Sequence, residues 1–351
     1  MRLMITGHNG YLGSVIVPAF LEAGQAVVGL DSNYFRECTL VPEAAEVPSI
    51  NKDIRDLKLT DLEGFDAIVH LAALCNDPLG ALSEGWTEEI NVQAAARLAS
   101  LGREAGVKRF LFSSSCIMYG TADSEAVSEQ SPLSPQTAYA ASKAKAENLI
   151  AGLATDWFSP TFLRNGTIYG LSPRMRFDTV FNDLLGQAFT TKKVVVQSNG
   201  TPWRPVIHAL DVARAFLAVL EAPTAVVHNQ IFNVGHNSLN YRIIDLAEIA
   251  CATVPGCSLE VRGEPTADQR TYRADFSKFQ AAFPRFEWQW TAAIGAQQLY
   301  AAFETLGLDH ETFTDNRFTR VRWLHHLRES GQLDGTLRWV RPAKRKAGRR
   351  S

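Results

Sequence analysis

The chain has 351 residues, 46% of them hydrophobic, and a formal net charge of −2, so it can build a large core but carries no global basic face for nucleic acid. No apolar run reaches the length of a membrane span, and the first strand begins too early to leave room for a secretory leader, so a cytoplasmic chain is expected. Five scattered cysteines (Cys38, Cys75, Cys116, Cys251, Cys257) include no C-x-x-C pair, which argues against a zinc site or a disulfide framework, and no metal is expected.

Residues 1–13 read as a short apolar strand, a glycine turn and the start of a helix. Gly7, Gly10 and Gly13 have the spacing G-x-x-G-x-x-G. Gly7 permits a sharp turn, Gly10 keeps a side chain out of the way of a pyrophosphate, and Gly13 lets the helix pack close to the strand. The helix N-terminus then aims free N–H groups at phosphate. The expected dinucleotide contacts here are Gly7, Asn9, Gly10, Tyr11, Leu12 and Gly13. A helix over 11–23, stopped by Gly24, is followed by a buried strand over 26–30 that ends at Asp31. Asp31 has the spacing of an acidic residue that binds an adenosine ribose and repels the extra phosphate of NADP, so NAD is the expected cofactor.

A third strand leads into Asp53, and a fourth covers 67–71. A helix is expected over 91–104, a strand over 108–112, a helix over 139–153 and a strand over 160–163. Such alternation predicts right-handed βαβ units and an α/β fold with a Rossmann-type doubly wound parallel sheet over residues 1–170. From Tyr169 the pattern changes, with Pro173 and two arginines in a less regular stretch. Helix is expected over 181–188, and 193–197 with its Ser198-Asn199-Gly200 turn reads as a hairpin. Asp211 is the expected N-cap of a helix through Leu220, and 230–234 is a strand. These elements predict a smaller, interleaved substrate-binding lid over 171–300, with 205–235 contributing to the first domain. Residues 301–340 read as a helical extension, with one or two amphipathic helices over 310–339 and no assigned function. Residues 341–351 form a basic, disordered tail.

Tyr139-Ala140-Ala141-Ser142-Lys143 puts Tyr139 and Lys143 one helical turn apart on one face. A lysine there can lower the tyrosine pKa and hold a nicotinamide ribose, and the tyrosine can exchange a proton with a substrate hydroxyl or carbonyl as hydride moves to or from the carbon. Ser115 follows the fifth strand at the ligand-binding edge and can hydrogen-bond the reacting oxygen. Ser113 and Ser114 also suit a strand-end cap.

These residues, with Asp53-Ile54, His70-Leu71-Ala72-Ala73, Tyr119-Gly120, Leu163-Arg164 and Tyr169-Gly170, resemble the extended short-chain dehydrogenase/reductases, specifically the nucleotide-sugar epimerase/dehydratase group, over residues 1 to about 282. The resemblance implies that Asp53 and Ile54 meet adenine, that Leu71, Ala72, Ala73 and Ser113 line the dinucleotide, and that Ser115, Tyr139 and Lys143 are catalytic. It also implies a nucleotide-diphosphate sugar held by Asn182, Arg204 and Arg270 or Arg273, with Asn76 and Thr167 on the substrate side. A homodimer through helices 91–104 and 139–153 is implied as well.

The 4,6-dehydratases that this chain resembles carry Asp and Glu directly after the catalytic Ser or Thr. Cys116 and Ile117 stand there instead, which argues against elimination. The expected reaction is therefore NAD-dependent epimerisation at sugar C4. A 4-keto-sugar reductase is the alternative, and a dehydratase, decarboxylase or silent dinucleotide-binding regulator fits less well. Cys116 suits buried packing better than acid/base chemistry, and His208 reads as a packed strand-end residue.

Overall fold

The opening apolar run forms β1 (Arg2–Thr6), and Gly7 ends it at a φ of 74°, a left-handed turn that a side chain would resist. The structure, a computed structural model, describes residues 1–41, 46–75, 77–122, 126–264 and 270–340. The first half then alternates: α1 (Gly13–Glu22), β2 (Ala26–Asp31), β3 (Ser49–Asn51), β4 (Ala67–His70), α2 (Asp77–Leu82), α3 (Glu84–Thr87), α4 (Ala95–Glu104), β5 (Arg109–Ser115), α5 (Ala138–Ala151) and β6 (Ser159–Asn165). The second half adds β7 (Thr167–Tyr169), α6 (Val180–Thr191), β8 (Lys193–Val196), β9 (Trp203–His208), α7 (Ala209–Glu221), α8 (Thr224–Val227) and β10 (Gln230–Val234). After these come β11 (Asn240–Arg242), α9 (Ile243–Thr253), β12 (Ser258–Val261), α10 (Ser277–Ala282), α11 (Ala292–Leu306), α12 (His310–Thr314) and α13 (Arg320–Glu329). Among the described residues no helix is long and apolar enough to cross a membrane.

Seven strands form one parallel sheet in the order β10-β6-β5-β4-β1-β2-β3. Its central strands are buried on both faces, so β4 reads as an apolar run and every residue of β6 is buried, the polar ones included. One face packs against α1 and α7 through Val15, Phe20, Val212 and Phe216. The other packs against α4, α5 and α13 through Leu98, Ile150, Trp323 and Leu327. This is the expected doubly wound α/β architecture, and it puts the carboxyl ends of β1, β2, β4, β5 and β6 along one edge.

Local pattern and structure part company in four places. Residues 193–197 do not form a hairpin: β8 pairs in parallel with β12, because Val194 and Val196 turn into the core shared with α6 and α9. Asp211 is not the N-cap of α7. His208 caps it through Nδ1, and the Asp211 carboxylate instead accepts from the Gln289 and Trp290 N–H groups. Helix 91–104 is preceded by a π-turn over Glu88–Ala94. Finally, 310–339 is helical only as α12 and α13, and beyond Gly331 the chain forms a hairpin in which Leu333 bridges Trp339.

A buried ion pair fixes α5 to the sheet. Arg164 on β6 meets Glu147 on α5 at 2.6 Å, with both side chains 4% exposed. Arg164 also donates to the Tyr119 hydroxyl, which donates to Asn233 on β10. Removing one partner of such a pair strands the other charge. Glu147→Ala is expected to lower unfolding free energy by about 3–5 kcal/mol in urea titration, and a loss below about 1 kcal/mol would show that water reaches Arg164.

Candidate active site

A cavity of about 450 Å³ runs along the carboxyl edge of the sheet. At one end the glycine turn faces α1. A Cβ on Gly13 would lie 2.1 Å from the Gly7 carbonyl oxygen, and one on Gly7 would lie 2.8 Å from the Ala72 nitrogen. The turn therefore has no room for side chains, and Gly7, Gly10, Tyr11, Leu12 and Gly13 all border the cavity. Next to it, the Asp31 carboxylate is held by the N–H groups of Asn33 (2.7 Å) and Asn9 (3.0 Å). Burial pushes the Asp31 carboxyl above its ordinary pKa, while those donors and His8 oppose the shift. Asp53, Ile54, Leu71, Ala72, Ala73 and Ser113 complete this wall.

The reactive end lies where β5 meets α5. Thr137 caps α5 with its hydroxyl, which sets the helix to point Tyr139 and Lys143 into the cavity. Lys143 Nζ donates to the Ser113 carbonyl at 2.8 Å and lies 4.6 Å from the Phe112 ring centroid. Burial draws this lysine down to about 8. Tyr139 moves the other way. Burial, then the Cys75 and Asp77 side chains, push its phenol above the ordinary value, while Arg176 and the Ser115 hydroxyl pull it back less. The expectation that Lys143 lowers the Tyr139 pKa is thus not met here, because burial outweighs the nearby cation.

The opposite wall is cationic. Arg204 on β9 donates to the Trp203 and Arg270 carbonyls, and Arg270 meets Asp77 at 2.5 Å. Arg176 pairs with Asp178 at 2.6 Å and donates to the Cys75 carbonyl at 3.2 Å. Its Nη2 has no hydrogen-bond partner among the described residues, so a buried guanidinium with a spare donor faces the cavity.

Ser115, Thr167, Arg204 and Arg270 all reach the cavity as expected. Three other expected residues do not. Asn9 lies behind Asp31, and its amide donates to Asn33. Asn182 is fully buried and spends its amide on Gly170 N, the Tyr11 hydroxyl and the Arg176 carbonyl, so it joins the lid to the glycine turn rather than touching a ligand. Arg273 sits 5.6 Å from the Trp203 ring centroid, away from the cavity. Asn76 lies outside the described residues. Cys75 and Asp77, part of the substrate-side loop expected over 75–80, lie on the cavity wall, whereas local sequence did not identify Arg176, Tyr272 or Arg320 there. The alternation Arg174-x-Arg176-x-Asp178 was a visible signal for Arg176 alone. Cys116 is fully buried under the wall, with its thiol donating to the Arg164 carbonyl at 3.1 Å.

The residues present suit a dinucleotide: a helix N-terminus behind a glycine turn, a fixed carboxylate at the end of β2, and a buried lysine on the reactive side of the same cavity. A family model described as the NAD dependent epimerase/dehydratase family matches residues 3–235. The chain is 29% identical over 297 residues to UDP-glucose 4-epimerase of Corynebacterium glutamicum, which spans 79% of this chain and 88% of that one. It is 26% identical over 258 residues to dTDP-D-glucose 4,6-dehydratase of Mus musculus, spanning 70% and 71%. A solved structure, MoeE5 in complex with UDP-glucuronic acid and NAD, matches with a TM-score of 0.74 at 25% identity, covering 87% of this chain and 99% of that one.

The Lys143 environment has a measurable consequence. Between about 8 and its ordinary 10.5 the unfolded chain binds a proton that the folded chain does not, so this group makes stability rise with pH across that window. Lys143→Met is expected to flatten the rise in urea midpoint between about pH 8 and 9.5 relative to the native chain. Identical pH slopes would refute the burial of the charge.

Proposed function

The chain belongs to the NAD-dependent epimerase/dehydratase family, and from that premise we propose that it is a nucleotide-sugar 4-epimerase. The observation that carries this reading is the convergence of Ser115, Tyr139 and Lys143 on one cavity with, among the described residues, no free carboxyl beside them. The position after Ser115 is Cys116, which points into the core, and the next is Ile117. The carboxylates that border the cavity are engaged: Asp31 with backbone donors, Asp53 with Arg55, Asp77 with Arg270 and Asp178 with Arg176. Water elimination needs an acid and a base aimed at the sugar, and this set supports inversion better.

NAD, when bound, accepts and returns hydride. Once its own proton has passed to solvent, Tyr139 as the phenolate takes the proton of the sugar 4-hydroxyl while hydride leaves C4. As the phenol it returns that proton when the ketone is reduced on its other face. Ser115 hydrogen-bonds the same oxygen, and Lys143 supplies positive charge as the phenol loses its proton. Its folded pKa of about 8 keeps most of that charge at neutral pH. Arg204, Arg270 and Arg176 suit the diphosphate and its sugar, because a guanidinium fork matches paired oxygens. With the sugar anchored through its diphosphate, the ketone can turn without leaving.

Relatives of this chain are named for UDP-glucose and dTDP-D-glucose chemistry, so UDP-glucose, UDP-glucuronic acid and dTDP-glucose are the first substrates to assay. The C4 epimer is the expected product, without net change in cofactor oxidation state. A dehydrated sugar, or turnover that consumes reduced cofactor, would overturn the epimerase reading. Tyr139→Phe is expected to lower kcat by about 10²- to 10⁴-fold while NAD stays bound. A variant with native kcat would remove Tyr139 from the mechanism.

A further inference from the structure

The cavity end bounded by Asp31, Tyr34, Asp53 and Ile54 is backed at Ser32 and Tyr34 by the C-terminal hairpin, residues 332–340. Asp334 organises that hairpin. Its carboxylate accepts from the Thr336 N–H and hydroxyl and from the Arg338 N–H. Leu337 then adopts a φ of 58°, a conformation that costs a branched-chain residue energy. It is held there by full burial and by its carbonyl, which accepts from the Tyr34 hydroxyl and from Arg55.

The hairpin's polar contacts fall on the wall residues Ser32 and Tyr34 and on Arg55 and Asp56 just behind the wall. The Trp339 indole N–H donates to the Ser32 carbonyl, and its ring lies 5.9 Å from the Tyr34 ring. Arg338 pairs with Asp56, and Arg55, the partner of the Asp53 carboxylate, also donates to the Thr336 carbonyl. From α13, the Trp323 indole donates to the Tyr34 carbonyl, and buried Arg320 borders the cavity with its guanidinium over Phe35, another wall residue. Leu333 and Leu337 fill the core, which a simple cap would also do. Trp339 does not: it is 41% exposed, and its two contacts are both to wall residues.

We propose that residues 332–340 are a latch on the NAD site. The hairpin holds the walls around the adenosine end closed, so the cofactor exchanges slowly and stays with the chain from one turnover to the next. This rests on the cofactor being NAD with its ribose at Asp31. It does not depend on which sugar is converted.

The test is exchange of bound NAD for isotopically labelled NAD, measured without sugar on the full chain, on Asp334→Ala and Trp339→Ala, and on a chain ended after Ser330. Native protein is expected to keep NAD through gel filtration, and each variant to exchange it at least ~10-fold faster. Both point variants alter exposed side chains, so they decide the matter if the shortened chain does not fold. A native chain that exchanges NAD as fast as the variants, or variants that retain it as well as the native chain, would overturn the latch. Slow native exchange together with an absence of C4 epimerisation would sink the epimerase reading and leave the latch standing.

Discussion

The geometry of the reactive end depends on the buried pair Arg164–Glu147. Tyr139 and Lys143 ride on α5, whereas Ser115 ends β5, next to β6. A helix packed on a sheet by apolar contacts alone can slide by fractions of an ångström, because those contacts have little direction. The bidentate fork between Arg164 and Glu147 has direction. It lies one helical turn beyond Lys143 and fixes the helix against the strand that neighbours Ser115. Tyr119 and Asn233 extend the same network to β10. Burying two charges is a poor way to gain stability, and its return here is position: the phenol, ammonium and hydroxyl converge on one place.

The parts of the site that were legible in the sequence are those whose chemistry demands a residue type at a fixed spacing. The glycine turn is one, since a Cβ at Gly7 would strike Ala72 and one at Gly13 would strike the Gly7 carbonyl. Tyr139 and Lys143 are another, since one helical turn sets their separation. Asp31 was legible because it ends a strand whose neighbour was already known. The direction of Asn182, and the choice of Arg270 over Arg273, were not legible because an amide or guanidinium near the right position says nothing of where it points. The Asn182 amide points at Tyr11, 171 residues away in sequence. The same limit explains β8, whose partner β12 lies beyond three intervening strands and three helices. The extension was opaque for a further reason. Leu333 and Leu337 have helical spacing, yet Gly331 and Gly335 break the helix and tertiary contacts choose a hairpin.

Charge across the cavity follows one rule. Each wall carboxylate is tied to a cation or to backbone donors, whereas Arg176 keeps a donor free and Lys143 stays largely protonated at neutral pH. The cavity thus presents positive potential to incoming anions, and its own acids are engaged. That suits two diphosphates, one on each ligand, and leaves proton transfer to Tyr139. Burial raises the phenol's pKa, so the tyrosine rests protonated, and it serves as the base of the oxidation only after its proton has left, with the Lys143 ammonium beside it to offset the phenolate charge.

The latch and the proposed chemistry meet at one rate. A reaction that takes hydride from a sugar and returns it to the same sugar requires the cofactor to remain while the ketone turns. Each departure of the cofactor during that interval strands an oxidised sugar and leaves the chain unable to finish. The diphosphate arginines guard against loss on the sugar side. On the other side the glycine turn alone offers only backbone donors and a partial charge, the kind of contact that reversible dehydrogenases use to release their cofactor. A reductase must exchange cofactor at every turnover, so a hairpin that slows exchange would limit it. For an epimerase the same hairpin costs nothing. Contacts from the C-terminal residues to Ser32, Tyr34 and Arg55 are therefore physically consistent with internal return of hydride, and poorly matched to net reduction.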